Sequence, residues 1–508
     1  MMSYTFDRFL ELLGGNWYDD DPVLQRLVSH YTAWAPRPSG PELHEWGGLC
    51  AGTLRGLAEG SALLENRPRL RHFDAYHHRV DEIILPRSTE RALRIAGGEH
   101  RLGALHGHPH VFTAKWYLCL QNGEAGVGCS LACTEGMVRA LETLGDQPAH
   151  AEALRRLCHS TAERYVHGAQ FVTEIQGGSD AATNQLVARR EGGGDGGRWA
   201  LYGQKWFCSN INADYFLVTG RPDGAAPGGR GVALFLVPAY LDDERRVRNG
   251  YTIDRLKDKL GTRELATAEV TFSGAEAYPL GPLDHGLANV VSLVLVVSRF
   301  ACLVVAAAFA RQAERIAQAY AAFRSAFGRR LSDFPLVQET LGTVRGARER
   351  SLAAVFELMR LWQAAAADER STEAVDFRCL LSLCKPALTR EATAVLHDAI
   401  MLLGGNGIEE RFSSLPRLWR DSIVMETWEG PHNVLVTQAL RDLRRFGIDP
   451  ATFVARVAGE PRPDLARELG SILGQGSEDE AAAHLARLGP GLVRAFGERS
   501  LAEAMAGG

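Results

Sequence analysis

Leu186-Val187-Ala188-Arg189-Arg190 and Arg198-Trp199-Ala200-Leu201-Tyr202, joined by Glu191-Gly192-Gly193-Gly194-Asp195-Gly196-Gly197, mark where the hydrophobic period of this 508-residue chain changes from helical to two. Alternating side chains on either side of a glycine-rich link predict a β-hairpin. More strands are predicted at residues 215–219, 232–237 and 267–272, each bounded by Gly or Pro. The glycine run has neither the strand-to-helix setting nor the lysine of a phosphate-binding loop, so it reads as a turn and not a nucleotide site.

On both sides of this region the period is helical. Asp20-Asp21-Pro22, followed by Val23-Leu24-Gln25-Arg26-Leu27-Val28, predicts a capped helix start with proline in the first position. Helical spacing returns through Ala151 to Tyr165, and long amphipathic segments are expected at 297–327, 335–368 and 373–403. Proline breaks at Asp449-Pro450 and Pro461-Arg462-Pro463 precede two or three Ala-rich helices, an interaction or capping element. The expected class is α+β, in four parts: an N-terminal helical domain with an extension (1–165), a middle antiparallel β-barrel or sandwich (166–288), a C-terminal four-helix bundle (289–446) and a helical tail (447–508).

Charge balance removes some function classes. The formal net charge is −5, too small for a global pull toward nucleic acid or anionic membrane. Met1-Met2-Ser3 opens no basic region followed by an apolar core, and the apolar run from Val290 to Ala310 is interrupted by Ser298 and Arg299, as suits a buried bundle helix. A soluble, cytoplasmic protein without a membrane span is expected. The nine scattered cysteines form no CxxC pair and read as small buried hydrophobes in a reducing compartment. His106-Gly107-His108-Pro109-His110 invites a metal reading, but alternate histidines broken by Gly and Pro offer no closed ligand set, and no metal is expected.

Chemistry concentrates in Arg420-Asp421-Ser422-Ile423-Val424-Met425-Glu426-Thr427-Trp428-Glu429-Gly430-Pro431-His432-Asn433. Glu429 stands between a bulky aromatic and a glycine, where the chain turns into a helix. A carboxylate aimed there into an apolar pocket has its pKa raised toward general-base values. The same tripeptide also suits an ordinary helix-initiating acid, so its context decides.

Five segments supply that context. Phe171-Val172-Thr173-Glu174-Ile175-Gln176-Gly177-Gly178-Ser179-Asp180 resembles the first signature of acyl-CoA dehydrogenases, and Gly203-Gln204-Lys205-Trp206-Phe207-Cys208-Ser209-Asn210 the second. Arg324-Ser325-Ala326-Phe327-Gly328, Leu403-Gly404-Gly405-Asn406-Gly407 and Trp428-Glu429-Gly430 resemble three later ones, in family order. Glu65-Asn66-Arg67-Pro68, Phe73-Asp74-Ala75-Tyr76 and Arg255-Leu256-Lys257-Asp258-Lys259-Leu260-Gly261 resemble the AidB-like branch, which is associated with the response to DNA alkylation.

The resemblance implies an acyl-CoA dehydrogenase-like fold, bound FAD, and Glu429 as the base that takes the α-proton of an acyl thioester. For the flavin it implies contacts from Val172, Thr173, Ser179, Phe207 and Ser209. Arg324 would pair with the flavin pyrophosphate of a neighbouring subunit, with Phe327 packing near the adenine, Gly404 and Gly405 approaching the dinucleotide and Asn433 contacting the adenine side, so a homo-oligomer, dimer or tetramer, is expected. Arg299, Trp428 and Gly430 are expected to border the acyl thioester; Arg299 equally suits a structural ion pair. Pro431 replaces the Ser or Thr that often follows Glu-Gly, removing a hydroxyl near the flavin diphosphate. Electrons would pass to an electron-transfer flavoprotein or to oxygen. The rival reading is a DNA-associated alkylation-protection flavoprotein with weak dehydrogenase activity; DNA binding is not favoured by the charge balance.

Overall fold

The computed structural model describes residues 4–32, 40–103, 108–191 and 198–506. In chain order come α1 (Asp7–Leu12), α2 (Pro22–Thr32), α3 (Gly40–Leu49), α4 (Arg55–Ser61), β1 (Arg69–Phe73), β2 (Arg79–Ile84) and α5 (Arg87–Leu93). Next are α6 (Pro109–Leu120), α7 (Ala125–Leu144), α8 (Pro148–Cys158) and seven strands: β3 (Gly168–Phe171), β4 (Val187–Arg190), β5 (Trp199–Ser209), β6 (Tyr215–Pro222), β7 (Ala233–Pro238), β8 (Tyr251–Leu256) and β9 (Thr267–Pro279). The remainder is α9 (Gly286–Asn289), α10 (Leu295–Phe323), β10 (Ser325–Ala326), β11 (Arg329–Arg330), α11 (Pro335–Ala367), α12 (Thr372–Leu403), α13 (Leu415–Thr427), α14 (His432–Arg445), α15 (Pro450–Ala458), α16 (Pro463–Leu473) and α17 (Glu478–Ala506). Two compact units result: a helical unit of residues 1–55, 106–123 and 299–508, and a sheet unit of residues 56–105 and 124–298.

In the sheet unit, β6, β4, β5, β9 and β7 pair in that order and β7 returns to β6, closing a barrel. β3 lies parallel to β6, as does β4, while the remaining pairings of these strands are antiparallel. Phe171, Phe216, Phe235 and Phe272 fill the interior among small Ala and Val side chains. Outside, Met137 and Leu141 of α7 pack with Leu217 and Leu234. β6 and β7 are therefore covered on both faces, which is why Phe216-Leu217-Val218 and Leu234-Phe235-Leu236-Val237 read as continuous apolar runs. The predicted hairpin is β4–β5, with Val187 opposite Tyr202 and Arg190 opposite Trp199. Its turn, residues 192–197, lies outside the described residues, as does His106 of the histidine cluster.

The structure adds strands where none was predicted. β1 and β2 form an antiparallel hairpin within the stretch expected to be helical, and β3 and β8 extend the barrel sheet. β1, Arg-Leu-Arg-His-Phe, buries neither face fully, so it carries no apolar stripe to read.

In the helical unit α2 begins as expected, with Pro22 as its first residue and Asp21 Oδ1 accepting the Leu24 N–H at 3.0 Å. Phe9, Tyr320, Leu396, Leu403 and Leu418 belong to one core shared by α1, α10, α12 and α13. α10 stops at Phe323 rather than 327, because Phe327 (φ 51°) and Gly328 (φ 82°) turn the chain into the β10–β11 hairpin. Two successive left-handed residues are what a two-residue hairpin turn of this hand requires. The helix Gly286–Phe323 is long and apolar enough to cross a membrane and is mostly buried.

The tail packs on the helical unit, α17 lying against α11, α12 and α14. Phe453, Leu469, Leu485, Leu492 and Phe496 are all buried. Arg456 pairs with Asp376 at 2.7 Å and Arg499 with Glu357 at 2.9 Å, joining the tail to α12 and α11. Glu357 also accepts from Tyr31 Oη at 3.0 Å, and Arg26 Nε donates to the Ala504 carbonyl at 2.7 Å, so α2 and the end of α17 share the same packing.

Candidate active site

In the helical unit α13 ends at Thr427, Trp428 is extended, and Glu429 takes a left-handed φ of 58° before Gly430 at 108°. A left-handed non-glycine residue costs about 1–2 kcal/mol, and something must hold it. Arg299 Nε on α10 donates to the Glu429 carbonyl at 3.0 Å. Lys385 Nζ on α12, wholly buried, donates to the Glu426 carbonyl at 2.7 Å and the Gly430 carbonyl at 3.0 Å. Burial pushes both cations' pKa values down, and the charge of Glu429 opposes that shift in each.

Around this turn Thr393 Oγ1 donates to Glu426 Oε1 at 2.6 Å, and Arg390 Nη2 donates to His432 Nδ1 at 2.8 Å. A guanidinium only donates, so Nδ1 accepts and the neutral ring carries its proton on Nε2, 3.5 Å from Glu426 Oε2. Burial and then Arg390 hold the His432 pKa down.

Arg299, Trp428, Glu429 and Gly430 are thus gathered at one turn, whereas the other predicted residues of this unit lie on its surface. Asn433 is exposed in the first turn of α14, Arg324 is half-buried with Nη1 donating to Tyr4 Oη at 3.2 Å, and Phe327 is 97% exposed. Gly404 (φ 61°) ends α12, and a side chain on Gly404 or Gly405 would meet open space. Asn406 Nδ2 donates to Tyr320 Oη at 2.9 Å, tying that turn to the end of α10.

In the sheet unit Val172 and Thr173 follow β3. The Val172 carbonyl accepts from Lys205 Nζ and Asn184 Nδ2, each at 3.1 Å, and the Thr173 carbonyl accepts the Trp206 N–H at 3.0 Å. Lys205, on β5, is buried and pairs with Glu174 at 2.7 Å. Burial lowers the Lys205 pKa to about 8, and although burial alone would raise Glu174, the Lys205 charge and hydrogen bonds hold it below its usual value. Glu174 and Gly177 exchange two 3.1 Å main-chain hydrogen bonds, folding the loop so closely that a Cβ on Gly178 would stand 2.9 Å from Thr173 Oγ1. Ser179 is exposed beyond it. On β5 the Phe207 ring is 51% exposed with Lys257 Nζ 4.5 Å from its centroid. Ser209 Oγ lies 3.1 Å from Thr267 Oγ1, which accepts from Lys259 Nζ at 2.9 Å.

A half-exposed aromatic ring, hydroxyls on Thr173, Ser179 and Ser209, and a cradle that a Cβ would fill at Gly178 make a donor set that fits a flavin nucleotide. Comparison with known proteins agrees. Residues 284–443 match the acyl-CoA dehydrogenase C-terminal domain, residues 169–275 the acyl-CoA dehydrogenase middle domain, and residues 10–164 the N-terminal domain of the adaptive response protein AidB.

The chain belongs to the acyl-CoA dehydrogenase family. It is 31% identical to acyl-CoA dehydrogenase family member 11 of Caenorhabditis elegans, over 84% of this chain and 70% of that protein. With the putative acyl-CoA dehydrogenase AidB of Escherichia coli it shares 30% identity over 78% of this chain and 72% of its relative. The crystal structure of Caenorhabditis elegans ACDH-11 in complex with C11-CoA superimposes with a TM-score of 0.80 at 26% identity, covering 95% of this chain and 88% of the other. The family is one of flavoproteins, and this member is a flavin oxidoreductase of the acyl-CoA dehydrogenase type.

Sequence reasoning left Glu174, Lys205 and Lys385 of this family member without roles. Lys385 sits in the apolar run Leu380-Leu381-Ser382-Leu383-Cys384-Lys385-Pro386, where the argument applied to Arg299, that a charge in an apolar helix must be partnered, would have found it. Glu174 and Lys205 are 31 residues apart and meet only through the sheet.

Proposed function

We propose that this chain is an FAD-dependent α,β-dehydrogenase of an acyl thioester, carried on CoA or on a carrier protein, with Glu429 as the base. The observation that carries the reading is the left-handed Glu429, held at its carbonyl by Arg299. An ordinary helix-initiating acid needs no such backbone, and strain of this kind gathers at working sites. The C11-CoA complex of ACDH-11 supports an acyl-CoA as substrate.

When bound, FAD supplies the two-electron acceptor for the β-hydride. Glu429 takes the proton as the Cα–H bond breaks, and that bond's electron pair becomes the second bond between Cα and Cβ, giving the α,β-unsaturated thioester. The Glu429 main-chain N–H would stabilise the developing enolate oxygen. Trp428, Gly430 and Arg299 would border the acyl thioester. Val172, Thr173, Ser179, Phe207 and Ser209 would hold the flavin of the same chain. Arg324 and Phe327 would reach the flavin of a neighbouring subunit, a reading supported by the exposure of Phe327, and Gly404, Gly405 and Asn433 would also contact the dinucleotide. The working form is then a homo-oligomer, dimer or tetramer, in the cytoplasm, passing electrons to an electron-transfer flavoprotein or oxygen. The division into segments 1–165, 166–288, 289–446 and 447–508 accompanies this reading and is supported by the residues the family models match.

The test is an absorbance scan of the purified protein followed by anaerobic titration with acyl-CoAs of differing length and branching. Bleaching of the flavin band by an acyl-CoA, absent in Glu429→Gln with its flavin still bound, is the expected result. Bleaching that survives in Glu429→Gln would remove Glu429 as the base. The match of residues 10–164 to the AidB N-terminal domain favours a second reading, a DNA-associated protective flavoprotein. It requires salt-sensitive retention on duplex DNA, and absence of retention at low salt would remove it.

A further inference from the structure

The Trp428–Gly430 turn is flanked by a cation that the dehydrogenase chemistry described above does not use. Lys385 is wholly buried, yet its ammonium spends two donors on main-chain carbonyls, Glu426 at 2.7 Å and Gly430 at 3.0 Å. These oxygens lie on either side of Glu429, one three residues before it and one immediately after. A buried ammonium costs several kcal/mol in desolvation, and neutral carbonyls return only part of that. A glutamine or an apolar residue would satisfy or avoid the same carbonyls more cheaply, so the charge itself needs a use.

We infer that Lys385 is a positioning residue of this site: it clamps the turn on both sides of Glu429, and its charge favours the ionised, proton-accepting form of that carboxyl. The inference rests on the proposed role of Glu429 as base. Burial in the turn pushes a carboxyl toward its neutral form, while a cation nearby favours the charged form. Lys385 lies within electrostatic reach of Glu429 and has a pKa depressed by burial, so the two groups share one field. Other charged or titratable groups act on Arg299, Lys385 or His432 beside this turn: Arg299 itself and Cys302 from α10, Arg378 and Arg390 from α12, Glu426 from α13, and His432 itself and Asp442 from α14. Of these His432 ordinarily titrates nearest the carboxyl range, and burial and Arg390 lower it further, so it must be separated from Glu429 in any titration.

Two Lys385 variants divide the clamp from the charge. Lys385→Gln keeps an amide donor for the carbonyls without the charge; Lys385→Met keeps neither. With the flavin-loaded protein and its best acyl-CoA, the acid limb of kcat/KM against pH should move up by about one unit in Lys385→Gln, because more alkali is needed to ionise the base. The limb should stay in place in His432→Gln. Independently of turnover, hydrogen–deuterium exchange of the peptide spanning residues 426–433 should rise about tenfold in Lys385→Met and stay near wild type in Lys385→Gln. An acid limb that moves with His432→Gln and not with Lys385→Gln would overturn the electrostatic part, and unchanged exchange in Lys385→Met would overturn the clamp. Failure of every acyl-CoA to bleach the wild-type flavin would instead fell the dehydrogenase reading and with it the electrostatic part, leaving the exchange measurement to decide the clamp alone.

Discussion

Arg299 and Glu429, 130 residues apart, are joined through the main chain: Arg299 Nε donates to the Glu429 carbonyl at 3.0 Å. The arginine fixes where the residue after Trp428 sits, whatever its carboxyl is doing. A charged hydrogen bond of this kind contributes about 1.5–3 kcal/mol. Arg299→Gln should therefore lower kcat/KM by roughly 10–100-fold if that energy is expressed in the transition state. Steady-state kinetics with the acyl-CoA that best bleaches the flavin checks this, and a loss under threefold would show that the turn holds without the arginine.

Lys205 and Glu174 form a buried pair at 2.7 Å. Removing one partner strands the other, a change that typically destabilises by about 3–5 kcal/mol. Lys205→Met should show this in urea denaturation of the protein, and Lys205→Met combined with Glu174→Gln should recover a measurable part of it. A double variant no more stable than the single one would mean that the cost comes from the Val172 and Thr219 hydrogen bonds of Lys205 rather than from the unpaired acid.

His167 is buried, with Ser130 Oγ 2.9 Å and Asn210 Nδ2 3.0 Å from Nδ1. Burial lowers its pKa from 6.5 to about 4. An unfolded chain thus binds this proton between those values while the folded chain does not, so stability falls as pH falls from 6.5 toward 4. The group alone accounts for up to about 3 kcal/mol over that window. Denaturant titrations at intervals across it should give the slope, and His167→Gln should flatten it.

Phe207 offers half of its ring to solvent on a strand whose neighbours are packed. If that face carries the flavin, Phe207→Ala should raise the flavin dissociation constant about tenfold. Folding stability of the apo-protein should change by no more than about 0.5 kcal/mol, as for other exposed positions. Equilibrium dialysis reads the first and thermal unfolding the second; an unchanged dissociation constant would take Phe207 out of the cofactor site.

The elements that read clearly in the sequence are those with a covered face. α11 and α12 follow the predicted segments to within a residue or so at each end, because each repeats an apolar stripe over many turns. β1 and β2 escaped for the opposite reason: Arg69, Arg71 and Phe73 share an exposed face of β1, and the one buried position of β2 is the acid Asp81, so neither shows an apolar stripe. Arg324 to Gly328 looked like the end of a helix, and only the backbone at Phe327 and Gly328 shows it to be a hairpin, which hydrophobic period does not report. Glu429 was legible as an acid between an aromatic and a glycine, but Lys385 was not legible as its neighbour. A lysine's usual place is the surface, and the carbonyls that keep this one inside belong to another helix end.

The contact between Arg26 and the Ala504 carbonyl has a consequence for the order in which the chain can fold as it is made. The sheet unit is complete once residue 298 has been synthesised, whereas the helical unit draws on residues 1–55 and lacks α17 until residues 478–506 have been made. At roughly 5–20 residues per second, the usual rate of synthesis, α1 to α3 wait about ten seconds or more after the barrel is made before α17 arrives. During that interval Leu24, Leu27 and Val28, buried in the finished protein, stand without their full cover. A chain released after residue 298 should therefore hold a protease-resistant barrel, and α1 to α3 of the same chain should still be recognised by chaperones.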